Sequence, residues 1–218
     1  DQWSAEIHRM YDDAPQTDLG RRLQRDAREF SIPADRFLLL IEGMRADLTG
    51  RCYETSHDLD WYLYRVAGVV GLATLDILGV RGPQAERLAR LEGTAVQLTN
   101  IIRDVADDAR LRRVYIPADL LRCFSLSRTD VLENRNPRVL AFVLAELSRQ
   151  ARAAYEQAFA CMKQLPRLQM IPCRVMGYVY LKNLAKIEKT GFIFSRPVKL
   201  TKHEKLSALI YALFKTFC

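Results

Sequence analysis

The sequence predicts an all-α fold, on three observations. Apolar residues recur at helical spacing along most of the 218 residues. There is no sustained apolar/polar alternation and no Asn-Gly or Asp-Gly hairpin turn, so strand signals are poor. Proline and glycine mostly fall between the periodic stretches, where they end or start helices. The length fits one large domain, and 49% hydrophobic residues can supply its core. No run approaches the roughly 18 unbroken apolar residues of a membrane span, and no secretory signal is recognisable. Cys52, Cys123, Cys161, Cys173 and Cys218 are odd in number and form no C-x-x-C pair, which fits reduced thiols in a cytoplasmic protein. His8, His57 and His203 are too scattered for a zinc pattern.

Taken in order, Trp3, Ile7 and Tyr11 mark a first helix that Pro15 ends, and a second amphipathic run covers Leu19 to Phe30. Ser31-Ile32-Pro33 starts a third helix, with proline near its first turn, that continues to about Leu48. A fourth, from about Leu59 to Leu78, carries Tyr62, Val66, Val69 and Ala73 on one side. Gly68 and Gly71 sit in its interior, each costing about 1 kcal/mol relative to alanine, so they signal close approach of another helix or a ligand, or a kink. Gly79 and Gly82-Pro83 form the next turn. After the central helix described below, residues 118–132 form a short helix and loop. A long amphipathic helix then runs from Pro137 to about Leu165, and Pro172 starts another whose inner side bears Met176, Val179 and Tyr180. Thr201 and Glu204 form a capping box before a last helix, and Arg196, Lys199, Lys202 and Lys205 crowd its start, as a phosphate site or a solvated basic face would. A helix lying on a membrane surface is the third option there.

The stretch that organises the chain is residues 91–117, LEGTAVQLTNIIRDVADDARLRRVYIP. At about 100° per residue, Gly93, Gln97, Asn100, Asp104 and Asp108 share one narrow arc, while Leu91, Ala95, Leu98, Ile102 and Val105 share the other side. Ala89 and Gly93 extend the first arc backwards with small side chains that leave room beside the carboxylates. Asp104 and Asp108 repel each other across one turn, and a divalent cation would relieve them. Mg²⁺ takes one or two carboxylates, with waters and substrate phosphates completing its shell, and Mn²⁺ suits the same oxygens. Arg103, Arg110, Arg112 and Arg113 lie close by as guanidinium forks for phosphate oxygens. A solvated, ion-paired helix end gives the same spacing of acids, although it does not require the amides Gln97 and Asn100 on the same arc. The net charge of +7 admits nucleic acid, an anionic membrane or a polyanionic small molecule; the basic residues are spread along helices with no nucleic-acid motif, which argues against nucleic acid.

The run Q-L-T-N-I-I-R-D-V-A-D-D-A-R-L-R-R-V-Y-I-P, from Gln97 to Pro117, resembles the second aspartate-rich signature of the squalene/phytoene synthase family, and Y-L-Y-R-V-A-G-V-V-G-L, from Tyr62 to Leu72, resembles its other signature. The segment G-M-R-A-D-L, with Arg45 and Asp47, is similar to a family segment preceding the tyrosine signature, and an ordinary ion pair explains it equally well. The resemblance implies an all-α isoprenoid synthase fold with a central cavity and Mg²⁺-dependent head-to-head condensation of two prenyl diphosphates. It implies Asp104 and Asp108 as metal ligands. Gln97, Asn100, Arg103, Arg113, Tyr115, Tyr180, Val66 and Gly93 would contact substrate, and Tyr62 would be the active-site tyrosine. The W-S-A-E-I opening, Arg65 after Y-L-Y, and R-V-M-G-Y-V-Y-L-K-N-L are most similar to bacterial presqualene diphosphate synthases of the hopanoid pathway, with phytoene synthase as runner-up. NADPH would be needed only for reduction to squalene, and no G-x-G-x-x-G fingerprint is present.

One departure bears on activity. The family carries a first aspartate-rich motif on an early helix; here Asp12-Asp13 precedes a proline turn, and Asp26 with Glu29 has a different spacing. The expectation is a chain that lacks the N-terminal helices, holds metal on one side only and is inactive or nearly so. A non-catalytic helical binding or assembly protein, and a head-to-tail prenyltransferase or terpene cyclase, are the rival classes. Association with the inner face of a membrane is compatible with the basic last helix.

Overall fold

A computed structural model describes residues 2–194 and 197–217. Its described residues form helices joined by turns and short loops, with no strand. The order is α1 (Gln2–Tyr11), α2 (Asp18–Glu29), α3 (Ala34–Thr49), α4 (Ser56–Leu63), a π-helical turn (Tyr64–Gly68), α5 (Val69–Ile77) and α6 (Pro83–Arg110). There follow α7 (Ala118–Cys123), α8 (Arg128–Leu132), α9 (Pro137–Met162), α10 (Ile171–Glu188) and α11 (Lys202–Phe217).

The helix ends follow local chemistry. The Thr17 hydroxyl accepts from the Gly20 amide at 2.9 Å and opens α2. Thr55 with Asp58, and Ser127 with Asp130, form capping boxes at α4 and α8. Pro83 and Pro137 occupy the first turns of α6 and α9, where the missing N–H costs nothing. The Thr201/Glu204 capping box is present, with the Thr201 amide 2.7 Å from Glu204 Oε2 and the Glu204 amide 3.3 Å from Thr201 Oγ1.

The helix expected over Leu59–Leu78 is not continuous: a π turn at Tyr64–Gly68 divides it. Both interior glycines explain the break. A Cβ on Gly68 would lie 2.7 Å from the Tyr64 ring, and one on Gly71 would meet Ala89 of α6 at 3.3 Å. The widened turn therefore carries the Ala67–Gly68 backbone onto α6.

Helix α6 is the centre of the molecule, packed on α9, the π turn, α5 and α10. Its predicted inner stripe enters the core as Ala95, Leu98 and Ile102, all buried, with Leu91 and Val105 half-buried. The main core joins these to Leu59, Tyr62 and Leu63 of α4, Leu140, Leu144 and Leu147 of α9, and Leu184 and Ile187 of α10. A second cluster around Leu72, Leu75, Leu88, Met162 and Met170 closes the other end. Full burial of each such side chain contributes on the order of 2 kcal/mol, so α6 is held rigidly while its other face stays free for polar groups.

Candidate functional site

The arc predicted on α6 forms as a polar face. Asn100 Nδ2 donates to Gln97 Oε1 at 3.2 Å, which leaves Asn100 Oδ1 buried and without a partner. One turn later, Arg103 Nε donates to Asp104 Oδ1 at 2.8 Å. Asp104, Asp107 and Asp108 then form one wall of a pocket of about 670 Å³ whose lining also includes Arg103, Tyr180 and Asn183 of α10, and Lys199 and Lys205. Lys199 and Lys205 belong to the basic group predicted before the last helix; Arg196 of that group lies outside the described residues, as does Cys218. Acids and cations thus share one cleft, the acids from α6 and the lysines from the tail.

The electrostatics of the pocket are unbalanced. Burial first, and then the charges of Asp104, Asp47 and Asp107 against the opposing Arg113, bring the Asp108 carboxyl up to about 6. Asp104 has Arg103, and Asp107 pairs with Arg110. Asp108 is the acid left wanting a cation. The acidic donors lining the cleft are all oxygen, the carboxylates of Asp104, Asp107 and Asp108, with the buried, unpartnered Asn100 Oδ1 one turn earlier on the same helix. Hard, oxygen-seeking Mg²⁺ or Mn²⁺ fits them, and a thiol- or imidazole-seeking metal does not. Among the described residues no group of three or more His, Cys, Asp or Glu side chains is arranged to hold a metal ion by itself.

Behind this pocket lies a group of phenols. Tyr62 and Tyr115 are 3% and 8% exposed, their rings stacked 5.0 Å apart at 23°, and Tyr53 packs 5.4 Å and 5.9 Å from them. The Tyr62 hydroxyl donates to Asp47 Oδ2 at 3.2 Å and the Tyr115 hydroxyl to Asp47 Oδ1 at 2.9 Å. Burial first, and then these partners, raise the Tyr62 phenol far above its ordinary range. Burial and Asp47 carry Tyr115 up to about 12, against the neighbouring Tyr62 hydroxyl, which lowers it. Arg113, beside Asp108 in charge, lines a small cleft with Asp47, Arg51 and Tyr115.

The structure therefore brings together Asp104, Asp108, Arg103 and Tyr180 in one cleft, with Gln97 and Asn100 leading into it along α6, and Tyr62 with Tyr115 against Asp47. It does not bring Gly93 or Val66 to the aspartate pocket. A Cβ on Gly93 would lie 2.7 Å from the Gly68 nitrogen and 2.9 Å from the Ala67 carbonyl carbon, so its small size admits a neighbouring backbone. Ala89 similarly faces Gly71. The expected room beside the carboxylates is filled, and these small residues are packing contacts. Val66 sits in the π turn with its side chain against Gly43 of α3. Two arrangements of residues already singled out emerge only from the structure. Asp47 collects two phenols, and Lys199 and Lys205 reach the acidic wall across a long separation in sequence.

Residues 1–204 match the family model for squalene/phytoene synthase. The chain is 33% identical over 215 residues to a presqualene diphosphate synthase of Rhodopseudomonas palustris, covering 97% of this chain and 77% of that one. It is 31% identical over 229 residues to a 15-cis-phytoene synthase of Synechococcus elongatus, covering 99% and 74%. Among solved structures, a squalene synthase from Alicyclobacillus acidocaldarius superimposes with a TM-score of 0.81 at 26% identity, covering 88% of this chain and 72% of that one. A dehydrosqualene synthase, at 24% identity, shares the fold with a TM-score of 0.83 and coverage of 98% and 76%.

Proposed function

The chain belongs to the squalene/phytoene synthase family of prenyltransferase-type synthases, and from that premise we propose that it joins two farnesyl diphosphates head to head to give presqualene diphosphate. The second reading, phytoene formation from geranylgeranyl diphosphate, draws support from 31% identity to a phytoene synthase. The observation that carries the proposal is the single cleft in which Asp104, Asp107 and Asp108 lie with Arg103, Lys199 and Lys205. An all-acid wall would repel a diphosphate, and an all-basic one would need no metal.

Asp104, Asp108 and Asn100 Oδ1 are the groups that would hold Mg²⁺, and the ion when bound would supply Lewis-acid neutralisation of the leaving diphosphate. Arg103, Lys199 and Lys205 bind phosphate oxygens directly, the guanidinium as a fork and the ammonium groups as point charges. Gln97 orients the Asn100 amide so that its oxygen stays available. Tyr180, from α10, closes the cleft beside Arg103. Val179, Pro197 and Leu200 add apolar lining that limits water near an allylic cation.

Product analysis of the protein incubated with farnesyl or geranylgeranyl diphosphate and Mg²⁺, with and without NADPH, tests this reading. Presqualene diphosphate formed without NADPH supports it, and squalene with NADPH would add a reductive step. Phytoene supports the second reading. Head-to-tail elongation of farnesyl diphosphate, or failure to bind the unreactive farnesyl thiodiphosphate with Mg²⁺, overturns both.

A further inference from the structure

Asp47 comes from α3, Tyr62 from α4 and Tyr115 from the segment after α6, so their meeting is set by the tertiary fold. An ionised carboxylate is an acceptor only, while a phenol has a single proton to give. Here each oxygen of one carboxylate takes one phenol, Tyr62 on Oδ2 at 3.2 Å and Tyr115 on Oδ1 at 2.9 Å. The two rings are stacked and almost fully buried, and Tyr53 seals a third side.

We propose that Asp47 is a positioning residue that holds the hydroxyl protons of both Tyr62 and Tyr115, so that neither phenol serves as a proton donor in the reaction. The proposal rests on the family reading above for the place of Tyr62 in the reaction. A phenol whose proton is held by a carboxylate cannot give that proton to a departing diphosphate. Protonating or neutralising the departing diphosphate then falls to groups across the cleft, Arg103, Lys199 and Lys205. Asp47 acts through the tyrosines, not on substrate.

The test is a double-mutant cycle on turnover, joined to an optical titration that needs no activity. Asp47→Asn keeps the shape but replaces one acceptor by a donor. With helical circular dichroism retained, kcat should fall about 10- to 100-fold, the loss of charge-assisted hydrogen bonds, while KM stays within about threefold. In the Asp47→Asn background, Tyr62→Phe should cost less than about twofold further. Effects that multiply would mean that the residues act independently, and would overturn the proposal. In the ultraviolet titration of tyrosine, Asp47→Asn should move two phenols to lower pH, burial still holding them above the ordinary value. Tyr62→Phe and Tyr115→Phe, each made in that background, should remove one apiece. Identical titrations of the wild type and Asp47→Asn would overturn the proposal even if no prenyl diphosphate is turned over. Absence of turnover with the shifted titration would instead count against the proposed reaction alone. If Asp47→Asn does not fold, Tyr115→Phe, which removes one bond and keeps the carboxylate, carries the same cycle with Tyr62→Phe.

Discussion

Replacing Glu92 by glutamine should remove a pH-dependent weakness from the interface between α6 and α10. Glu92 is only 4% exposed, and its Oε1 has no hydrogen-bond partner. Gly177 of α10 faces it so closely that a Cβ there would sit 3.3 Å from Oε1. Burial raises this carboxyl from 4.5 to about 8, with the Cys173 thiol and the Gly177 backbone moderating the rise. The folded state therefore keeps a proton that the unfolded chain releases above its ordinary value. The stability present below about pH 4.5 is lost as pH rises towards 8, and the loss levels off above that. Each pH unit in this window is worth about 1.4 kcal/mol, so between pH 5 and pH 7 the loss is about 2 to 3 kcal/mol. Glutamine has the same shape and no proton to lose. Urea unfolding followed by circular dichroism at pH 5, 6, 7 and 8 measures both proteins. The variant's advantage over the wild type should grow by about 2 to 3 kcal/mol from pH 5 to pH 7. Other titrating groups cancel in that difference. A flat difference, or one completed below pH 5, would refute the reasoning, because it would mean that Glu92 ionises in the fold as it does in water.

Gly93→Ala should destabilise the fold by about 2 kcal/mol despite alanine's better helix propensity, since the added carbon must displace the Gly68 backbone and not a mobile side chain; a thermal melt that rises would show that the contact can relax. Asp104→Ala and Asp108→Ala should each abolish calorimetric binding of Mg²⁺ with inorganic pyrophosphate while leaving the helical spectrum intact, because both carboxylates are partly exposed and outside the core. Retained binding in Asp108→Ala would place the metal elsewhere.

What the chain reveals before folding, and what it withholds, divides along a physical line. Elements set by neighbours three or four residues apart are readable: the inner stripe of α6, the prolines that open α6 and α9, and the Thr201/Glu204 box all form as their spacing predicts. So does the polar arc from Gln97 to Asp108, since one helix fixes it. Gly93 shows where this reading stops. A small residue on a polar arc signals that something approaches closely, but spacing does not say whether that is a ligand or another backbone; the π turn decides it. Asp47 shows the same limit from the other side. In G-M-R-A-D-L it is compatible with an ordinary ion pair, and only the meeting of α3, α4 and the segment after α6 gives its two oxygens their phenols.

Glu92 sits beside buried Gly93 and opposite Gly177 with its Oε1 lacking a hydrogen-bond partner and only the Cys173 thiol and the Gly177 backbone to moderate its burial. A carboxyl there costs stability at neutral pH that an apolar residue would not. The rigid core around Leu98, Ile102 and Leu144 tolerates that cost. The helix that carries it also carries Asp104 and Asp108 three to four turns on, with Tyr180 and Asn183 on the α10 surface it faces. Any adjustment between α6 and α10 forced by ionisation of Glu92 therefore moves the two walls of the cleft relative to each other, so calorimetric binding of Mg²⁺ with pyrophosphate is expected to weaken towards pH 8 in the wild type and to stay level in the Glu92→Gln protein; equal pH profiles would refute the coupling.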